Sequence, residues 1–186
     1  ISIAVSPNYA TDGTIWFGSF GTGIYRSQDF GASWQLVRSG YHAARTDRVL
    51  VSGSYQTDHN VFALTLGGGF YGSADAGQTW RTINGPLYQR LDFGLVLAAA
   101  TSPNYAADRT LFVTRVGPNS ILRSRNAGAS WERADSGIPS NDIVSLAVSP
   151  AFASDGTLFA ASLSQGVFRS TNQGEQWVAV NSGLTS

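Results

Sequence analysis

The sequence predicts an all-β protein made of four consecutive four-stranded antiparallel units, and three observations carry this prediction. A motif that ends on tryptophan occurs four times, and a second motif keeps step with it in every copy. No window shows a sustained 3.6-residue apolar period with capping residues, so helix is expected to be nearly absent. Two independent motifs in the same register indicate internal repeats.

The first motif is Ser-x-Asp/Asn-x-Gly-x-x-Trp. Its tryptophans are spaced 46, 51 and 46 residues apart. The four copies consist of Ser27, Asp29, Gly31 and Trp34; Ser73, Asp75, Gly77 and Trp80; Ser124, Asn126, Gly128 and Trp131; and Ser170, Asn172, Gly174 and Trp177.

The second motif begins Ser-Pro-Asn-Tyr in the first copy and reaches an aspartate six residues after its serine. From that aspartate to the tryptophan of the first motif is 22, 22, 23 and 22 residues. The four aspartates are Asp12, Asp58, Asp108 and Asp155. Residues that vary the period therefore lie mostly between one tryptophan and the next Ser-Pro or its equivalent.

Each copy is expected to form four short strands. In the first copy they are Ile1–Ser6, Thr14–Phe20, Gly23–Ser27 and Ser33–Arg38. The second strand of each copy is rich in β-branched and aromatic residues, and Gly21 and Gly23 supply the positive φ that a tight hairpin needs. The apolar first strands are Ile1–Val5, Arg48–Val51, Leu95–Ala100 and Ile143–Val148.

Units of this length with aromatic and glycine landmarks are typical of β-propeller blades, because one four-stranded sheet cannot bury both of its apolar faces alone. We predict a single β-propeller domain over 1–186, with blades at about 1–40, 41–88, 89–138 and 139–186. The blades are expected to close a four-bladed ring or to form an arc of a larger propeller. Since the sequence does not begin with Met, either a leader has been removed or the chain is part of a longer protein.

Composition argues against several classes of partner. The chain carries twelve arginines, no lysine and twelve acidic residues, with an isoelectric point near 6.9. This balance lacks the basic excess that nucleic acids or anionic membrane surfaces attract. No run of 18 apolar residues occurs, so no membrane insertion is expected. Without cysteine there is no disulfide or thiolate nucleophile, and no motif indicates a cofactor or a metal.

The Ser-x-Asp/Asn-x-Gly-x-x-Trp motif resembles the Asp-box, or BNR repeat. This repeat occurs in sialidases, xyloglucan-degrading glycoside hydrolases, sortilin-type receptors and photosystem assembly factors. The resemblance covers all four copies. It implies a turn between the third and fourth strand of a propeller blade, with the Asp or Asn bonded to the hairpin backbone and the Trp packed into the blade. Asn126 and Asn172 replace Asp in two copies, which favours a structural role because Asn cannot act as an acid.

An enzymatic interpretation has few carboxylates available. The two glutamates, Glu132 and Glu175, lie beside or inside a box, and a complete sialidase would need six blades, about 280 residues at this period. An inverting glycosidase needs two carboxylates roughly 6.5–9.5 Å apart. A pair such as Asp47 with Asp92 therefore stays open, and no catalytic residue is assigned.

The binding surface is expected where the repeats differ. Hairpins between second and third strands share one face with the links between blades, and the boxes lie on the other. Aromatic and arginine side chains on such loops are typical of protein or carbohydrate contacts. The candidate binding residues are Tyr41, His42, Arg45, Tyr88, Arg90, Asp92 and Arg115. Ordinary solvated loops are the alternative.

Three arginines have a different expected role. Arg26, Arg123 and Arg169 directly precede the box serine. A repeated arginine is expected to pack over blade aromatics or to bond to a neighbouring blade.

The leading hypothesis is a non-enzymatic β-propeller module that binds or scaffolds another protein. The resemblance implies a secreted, periplasmic or cell-surface location. One alternative is part of a carbohydrate-active glycoside hydrolase whose other blades lie outside this chain, and another is a structural subunit of a cell-surface assembly. The partner is expected to be protein, or else carbohydrate, and not nucleic acid; the oligomeric state stays open.

Overall fold

A computed structural model describes residues 1–43, 45–65, 69–85, 96–115, 117, 120–139 and 142–184. It contains four four-stranded sheets, each an antiparallel meander of sequence neighbours. Sheet 1 comprises β1 (Ser2–Val5), β2 (Ile15–Gly18), β3 (Ile24–Ser27) and β4 (Gln35–Leu36). Sheet 2 comprises β5 (Arg48–Val51), β6 (Val61–Thr65), β7 (Gly69–Ser73) and β8 (Arg81–Thr82).

The second half of the chain repeats this arrangement. Sheet 3 comprises β9 (Val96–Thr101), β10 (Leu111–Arg115), β11 (Ile121–Ser124) and β12 (Glu132–Arg133). Sheet 4 comprises β13 (Ile143–Val148), β14 (Leu158–Ser162), β15 (Gly166–Ser170) and β16 (Val178–Ala179). The prediction of four antiparallel four-stranded units is confirmed, although the fourth strand of each sheet has only two residues.

The expectation of almost no helix needs a correction. The turn between the first and second strand contains one helical turn in every copy: α1 (Tyr9–Asp12), α2 (Tyr55–Asp58), α3 (Tyr105–Asp108) and α4 (Phe152–Asp155). Each is followed by a C-cap residue in the left-handed conformation. The aspartate then holds the turn: Asp12 accepts from the Ser6 hydroxyl at 2.5 Å and from the Thr14 amide at 2.8 Å. Four residues are too few to produce a helical period in the sequence. Among the described residues, no helix is long and apolar enough to cross a membrane.

The chain divides into two units, Ile1–Asn84 with sheets 1 and 2, and Gly85–Ser186 with sheets 3 and 4. In unit 1, Trp16 and Arg26 are cross-strand neighbours that point from sheet 1 toward sheet 2. Trp16 Nε1 and Arg26 Nη1 both donate to the carbonyl oxygen of Ala76, at 3.3 and 2.9 Å. The Trp16 ring also meets Tyr55 edge-on, with centroids 5.1 Å apart.

We call the face that carries Trp16 and Arg26 the projecting face of sheet 1. The receiving face of sheet 2 carries Ala63, Tyr71 and Trp80, all buried in the same core cluster as Trp16. Successive strand residues point to opposite sides of a sheet, so every sheet has one face of each kind.

Unit 2 is assembled in the same way. The projecting face of sheet 3 carries the cross-strand pair Phe112 and Arg123. Phe112 packs edge-on against Phe152, with centroids 5.8 Å apart, and Arg123 Nη1 donates to the Gln173 carbonyl at 2.5 Å. Gln173 occupies the same box position as Ala76, so Arg26 and Arg123 each make the bond to a neighbouring sheet that was one expectation for the repeated arginine, whereas Arg169 is exposed.

Candidate functional site

The turn formed by the Ser-x-Asp/Asn-x-Gly-x-x-Trp motif, called the box below, satisfies its own polar groups. In the first copy the Ser27 hydroxyl donates to Asp29 Oδ1 at 2.7 Å and accepts from the Gly31 amide at 2.9 Å. The Ser33 amide donates to Asp29 Oδ1 at 2.9 Å, and the Ser33 hydroxyl donates to Oδ2 at 2.5 Å. The hydroxyl and amide of Ser33, followed by the Ser27 hydroxyl, lower the pKa of Asp29 to about 2. Asp29 is therefore ionised at neutral pH, with both carboxylate oxygens used inside the turn.

Copies with asparagine keep the same geometry. The Ser130 amide donates to Asn126 Oδ1 at 2.8 Å, as the Ser33 amide does to Asp29. Asn126 Nδ2 donates to the Ser130 hydroxyl at 2.7 Å, so that hydroxyl accepts where the Ser33 hydroxyl donates. A hydroxyl can play either part, which explains in physical terms how Asp and Asn can occupy the same position.

The fourth box residue sets where the neighbouring sheet attaches. This residue has positive φ in every copy, between 57° and 61°, although it is never glycine. Left-handed backbone costs about 1 kcal/mol or more for such residues, so the turn must be held by the hydrogen bonds around it. The carbonyls that accept from Arg26 and Arg123 belong to this residue, in the boxes of sheets 2 and 4.

The four box tryptophans do not share one environment. Trp80 is 4% exposed and Trp177 is 1% exposed, each within the core of its unit. Trp34 is 43% exposed, and Trp131 is partly exposed. The resemblance implies that each tryptophan packs into its blade. Trp34 does contact Phe17 of its own sheet, with ring centroids 6.3 Å apart, but it lies on the receiving face of sheet 1, which no sheet of unit 1 covers.

Both glutamates lie in an ion-pair network of unit 2. Arg123 Nε contacts Glu132 Oε1 at 2.8 Å, and Arg125 Nη2 contacts Glu175 Oε1 at 3.4 Å. Arg123 is buried, whereas both glutamates are more than half exposed. The network fastens the edge of sheet 3 to the box of sheet 4, and leaves neither glutamate without a cationic partner.

Two predicted binding residues are buried, which corrects their placement on a contact surface. Tyr41 packs against Tyr71 and Trp80, with ring centroids 4.6 and 5.6 Å away. Its hydroxyl lies 2.7 Å from the Thr46 hydroxyl, and burial raises the pKa of Tyr41 well above its usual range. Arg115 is also buried, at the end of β10.

Two other predicted residues are accessible, on the link between sheets 1 and 2. His42 is exposed, and Arg45 is partly exposed. Arg45 Nε donates to Asp47 Oδ1 at 2.6 Å, and the guanidinium carbon lies 4.9 Å from the centre of the Phe20 ring. Phe20 is 68% exposed and forms an isolated bridge with Arg45. We call Phe20, His42, Arg45 and Asp47 the Phe20–Arg45 surface.

Phe20 is not among the binding residues predicted from the sequence. It occupies the hairpin between β2 and β3, directly before Gly21. An aromatic residue at a glycine-rich hairpin tip was the available signal, because such a tip projects from its sheet.

The remaining predicted binding residues, Tyr88, Arg90 and Asp92, lie outside the described residues, and Asp92 is one member of the possible Asp47–Asp92 carboxylate pair. Across the described part of the chain, no group of three or more His, Cys, Asp or Glu side chains is placed to hold a metal ion.

No protein-family profile matches the chain, and no curated protein is similar to it in sequence. Solved structures do match it in fold. An ancestral GH74 enzyme has a TM-score of 0.70 at 18% identity, over 96% of this chain and 23% of that enzyme. YCF48 from Cyanidioschyzon merolae has a TM-score of 0.59 at 19% identity, over 96% of this chain and 54% of YCF48. YCF48 bound to D1 peptide matches at 0.60 and 15% identity, over 96% of this chain and 52% of that one.

A third protein is the extracellular domain of a B. thetaiotaomicron protein described as a hybrid two component system. Its TM-score is 0.63 at 14% identity, over 97% of this chain and 24% of that domain. The chain thus spans about a quarter of two of these proteins and about half of YCF48. These are β-propeller proteins. The chain is similar to them in fold and has four antiparallel four-stranded sheets, so it is a propeller module.

Proposed function

We propose that this chain is a non-enzymatic propeller module that binds a segment of another protein at the Phe20–Arg45 surface. The observation that carries the proposal is the exposed Phe20 ring with the Arg45 guanidinium fixed 4.9 Å from its centre. Aromatic and arginine side chains dominate the energetics of protein contacts.

The surface is ordered before any partner arrives. Asp47 holds Arg45 through Nε, which leaves the terminal amino groups of the guanidinium for a partner's carboxylate or backbone carbonyl. The backbone is fixed as well, since the Thr46 amide donates to the Ser19 carbonyl at 3.0 Å and Asp47 donates to Leu64 at 2.9 Å. A pre-ordered surface binds more tightly because less side-chain and loop entropy is lost.

The comparisons support a protein partner by analogy of fold. One solved structure of similar fold is that of YCF48 bound to D1 peptide. A propeller of this kind can therefore present a peptide-binding surface. The similarity to an extracellular domain supports a secreted, periplasmic or cell-surface location for this module in the same way.

The turn motifs belong to the same proposal as structural elements. We propose that the chain is an Asp-box protein and that its four sheets are consecutive blades, near 1–40, 41–88, 89–138 and 139–186, of one propeller domain. This is supported by the hydrogen bonds that occupy the Asp29 carboxylate and by the positions of the box turns between third and fourth strands.

A glycoside hydrolase fragment is the second candidate, favoured by the similarity in fold to a GH74 enzyme. Both glutamates of this chain pair with arginines, and the repeated aspartates accept hydrogen bonds inside their turns. A catalytic pair would therefore have to include another carboxylate, such as Asp47 or Asp92.

A displayed library of random peptides tests the proposal, with the immobilised 186-residue chain as bait. Peptides selected on the wild type are measured against a Phe20→Ala/Arg45→Ala double variant. Loss of an aromatic and an arginine hot spot is expected to weaken binding at least tenfold. Arg81→Ala, which removes an exposed arginine from β8 of the same unit, is the matched control and should bind as the wild type does.

Two outcomes would overturn the proposal. Selected peptides could bind the double variant and the wild type equally well. Alternatively, no peptide could be selected while xyloglucan oligosaccharides bind in calorimetry and are cleaved, which would establish the glycoside hydrolase candidate.

A further inference from the structure

Both units join their two sheets through the same set of contacts. A bulky ring and an arginine on a projecting face, Trp16 with Arg26 or Phe112 with Arg123, meet the receiving face of the next sheet. The arginine donates to the carbonyl of the fourth box residue, at 2.9 Å in unit 1 and 2.5 Å in unit 2. The contact is head to tail, because the projecting face of one sheet meets the receiving face of the next sheet.

Sheet 4 displays a projecting face that no sheet of its unit covers. Phe159 pairs with Arg169 across β14 and β15, in the register that joins Trp16 to Arg26. Arg169 in turn pairs with Val178 of β16, so the three side chains form one cross-strand row. Phe159 is 40% exposed and Val178 is 59% exposed. Arg169 is exposed too, and its guanidinium makes no hydrogen bond or ion pair with any residue that the structure describes.

Sheet 1 displays the complementary surface, an uncovered receiving face. Ile3, Phe17 and Tyr25 are cross-strand neighbours on its receiving face. Phe17, Tyr25 and Trp34 line an open apolar hollow of about 410 Å³. In sheet 2 the equivalent residues Ala63, Tyr71 and Trp80 are covered by Trp16 and its neighbours. The carbonyl equivalent to that of Ala76 belongs to Phe30, which is exposed.

We propose that these two faces dock two copies of this chain head to tail. The row Phe159, Arg169 and Val178 of one copy covers the hollow of Phe17, Tyr25 and Trp34 of another, and Arg169 donates to the Phe30 carbonyl. The contact repeats the sheet-to-sheet junction already present in each unit.

The chemistry of the faces favours this occupant over an unrelated protein. The only charged group in the row Phe159, Arg169 and Val178 is Arg169. In both units the equivalent arginine donates to a neutral backbone carbonyl, so no acidic partner is required. The apolar side chains of each face would be removed from water on association, and one chain carries both of the complementary faces. A surface patch that complements a different patch on the same molecule produces a head-to-tail contact that closes as a ring or extends as a polymer.

Light scattering coupled to size exclusion, over loading concentrations from micromolar to hundreds of micromolar, tests the proposal. The wild type should rise from 19.7 kDa to multiples of that mass as concentration increases. Phe159→Glu destroys the projecting face and Trp34→Glu destroys the receiving face, and each variant alone should stay monomeric. Leu163→Glu, a change at an exposed residue in the hairpin between β14 and β15, is the matched control and should assemble as the wild type does.

Mixing provides the decisive observation. Phe159→Glu retains an intact receiving face and Trp34→Glu retains an intact projecting face, so an equimolar mixture should form a heterodimer and no larger species. Circular dichroism checks that each variant is folded. Arg169→Ala, a milder surface change, should weaken self-association about tenfold by removing one charged hydrogen bond.

The proposal is overturned if the wild type stays at 19.7 kDa over the whole range. It is also overturned if both glutamate variants assemble like the wild type, or if their mixture stays monomeric.

Discussion

Replacing two tryptophans of the same motif by alanine should destabilise unit 1 by clearly different amounts. Trp80 and Trp34 occupy the same box position, in sheets 2 and 1, but are 4% and 43% exposed. A buried tryptophan covers about 200 Å². At about 25 cal/mol per Å² the buried part contributes about 5 kcal/mol for Trp80 and about 3 kcal/mol for Trp34, both upper estimates.

The space left behind increases the difference. Trp80→Ala leaves a cavity in the core cluster next to Tyr41, whose ring centroid lies 5.6 Å from that of Trp80. Trp34→Ala enlarges a hollow that already opens to solvent, so water fills it without a cavity penalty. We expect Trp80→Ala to lower the free energy of unfolding by about 4 kcal/mol and Trp34→Ala by about 1–2 kcal/mol.

Urea denaturation followed by circular dichroism measures the two losses, and hydrogen exchange of β2 and β6 assigns them to unit 1. The protein is kept at micromolar concentration so that the receiving face of sheet 1 stays free. Equal losses, or a larger loss for Trp34→Ala, would refute the assignment of burial to these two residues.

Three further perturbations follow from the hydrogen bonds of the boxes and junctions. Trp177→Phe should cost about 1–3 kcal/mol more than Trp80→Phe in urea denaturation, because Trp177 Nε1 donates to two carbonyls whereas buried Trp80 Nε1 has no partner among the described residues; equal losses would contradict this. Asp29→Asn should leave the free energy of unfolding at pH 7 almost unchanged but make it decline less in acid. The depressed pKa of Asp29 gives a stabilising contribution that is complete above about pH 4 and is lost as pH falls toward 2. An unchanged acid profile would contradict this. Arg123→Met should destabilise unit 2 by about 2–3 kcal/mol, since it removes the bond to the Gln173 carbonyl and the pair with Glu132, whereas Arg125→Met, an exposed neighbour in the same network, should cost less than about 1 kcal/mol in the same assay.

The repeated sheets could be predicted because each repeated motif forms its turn from residues that are close together in the sequence. A box forms from hydrogen bonds within eight residues, and its turn residues are visible in the sequence. The helical turns were missed because one turn, such as Tyr9–Asp12, has no apolar period to detect. Local order is therefore predictable wherever the turn chemistry, rather than the period, specifies it.

Burial depends on contacts that are distant along the chain, and for this reason the candidate site was predicted only in part. Tyr41 and His42 are adjacent in one link, yet Tyr41 packs against Tyr71 and Trp80 while His42 is exposed. Phe20 was overlooked because its role appears only when the hairpin and the link come together at Arg45. Composition selected the link that carries the accessible His42 and Arg45, but not which of its side chains face solvent.

The contrast between Trp34 and Trp80 shows that the same motif residue can be buried in one sheet and exposed in another. The same local turn gives a core residue where a neighbouring sheet covers it and an exposed apolar residue where none does. Arg26 and Arg169 differ in the same way, since one bonds to Ala76 and the other is exposed at the equivalent register. In the proposed docking of two copies, the residue types that join sheets within a unit would also join the copies. Self-association through these faces would leave the Phe20–Arg45 surface free, because that surface lies on the link and hairpin loops rather than on the receiving face of sheet 1.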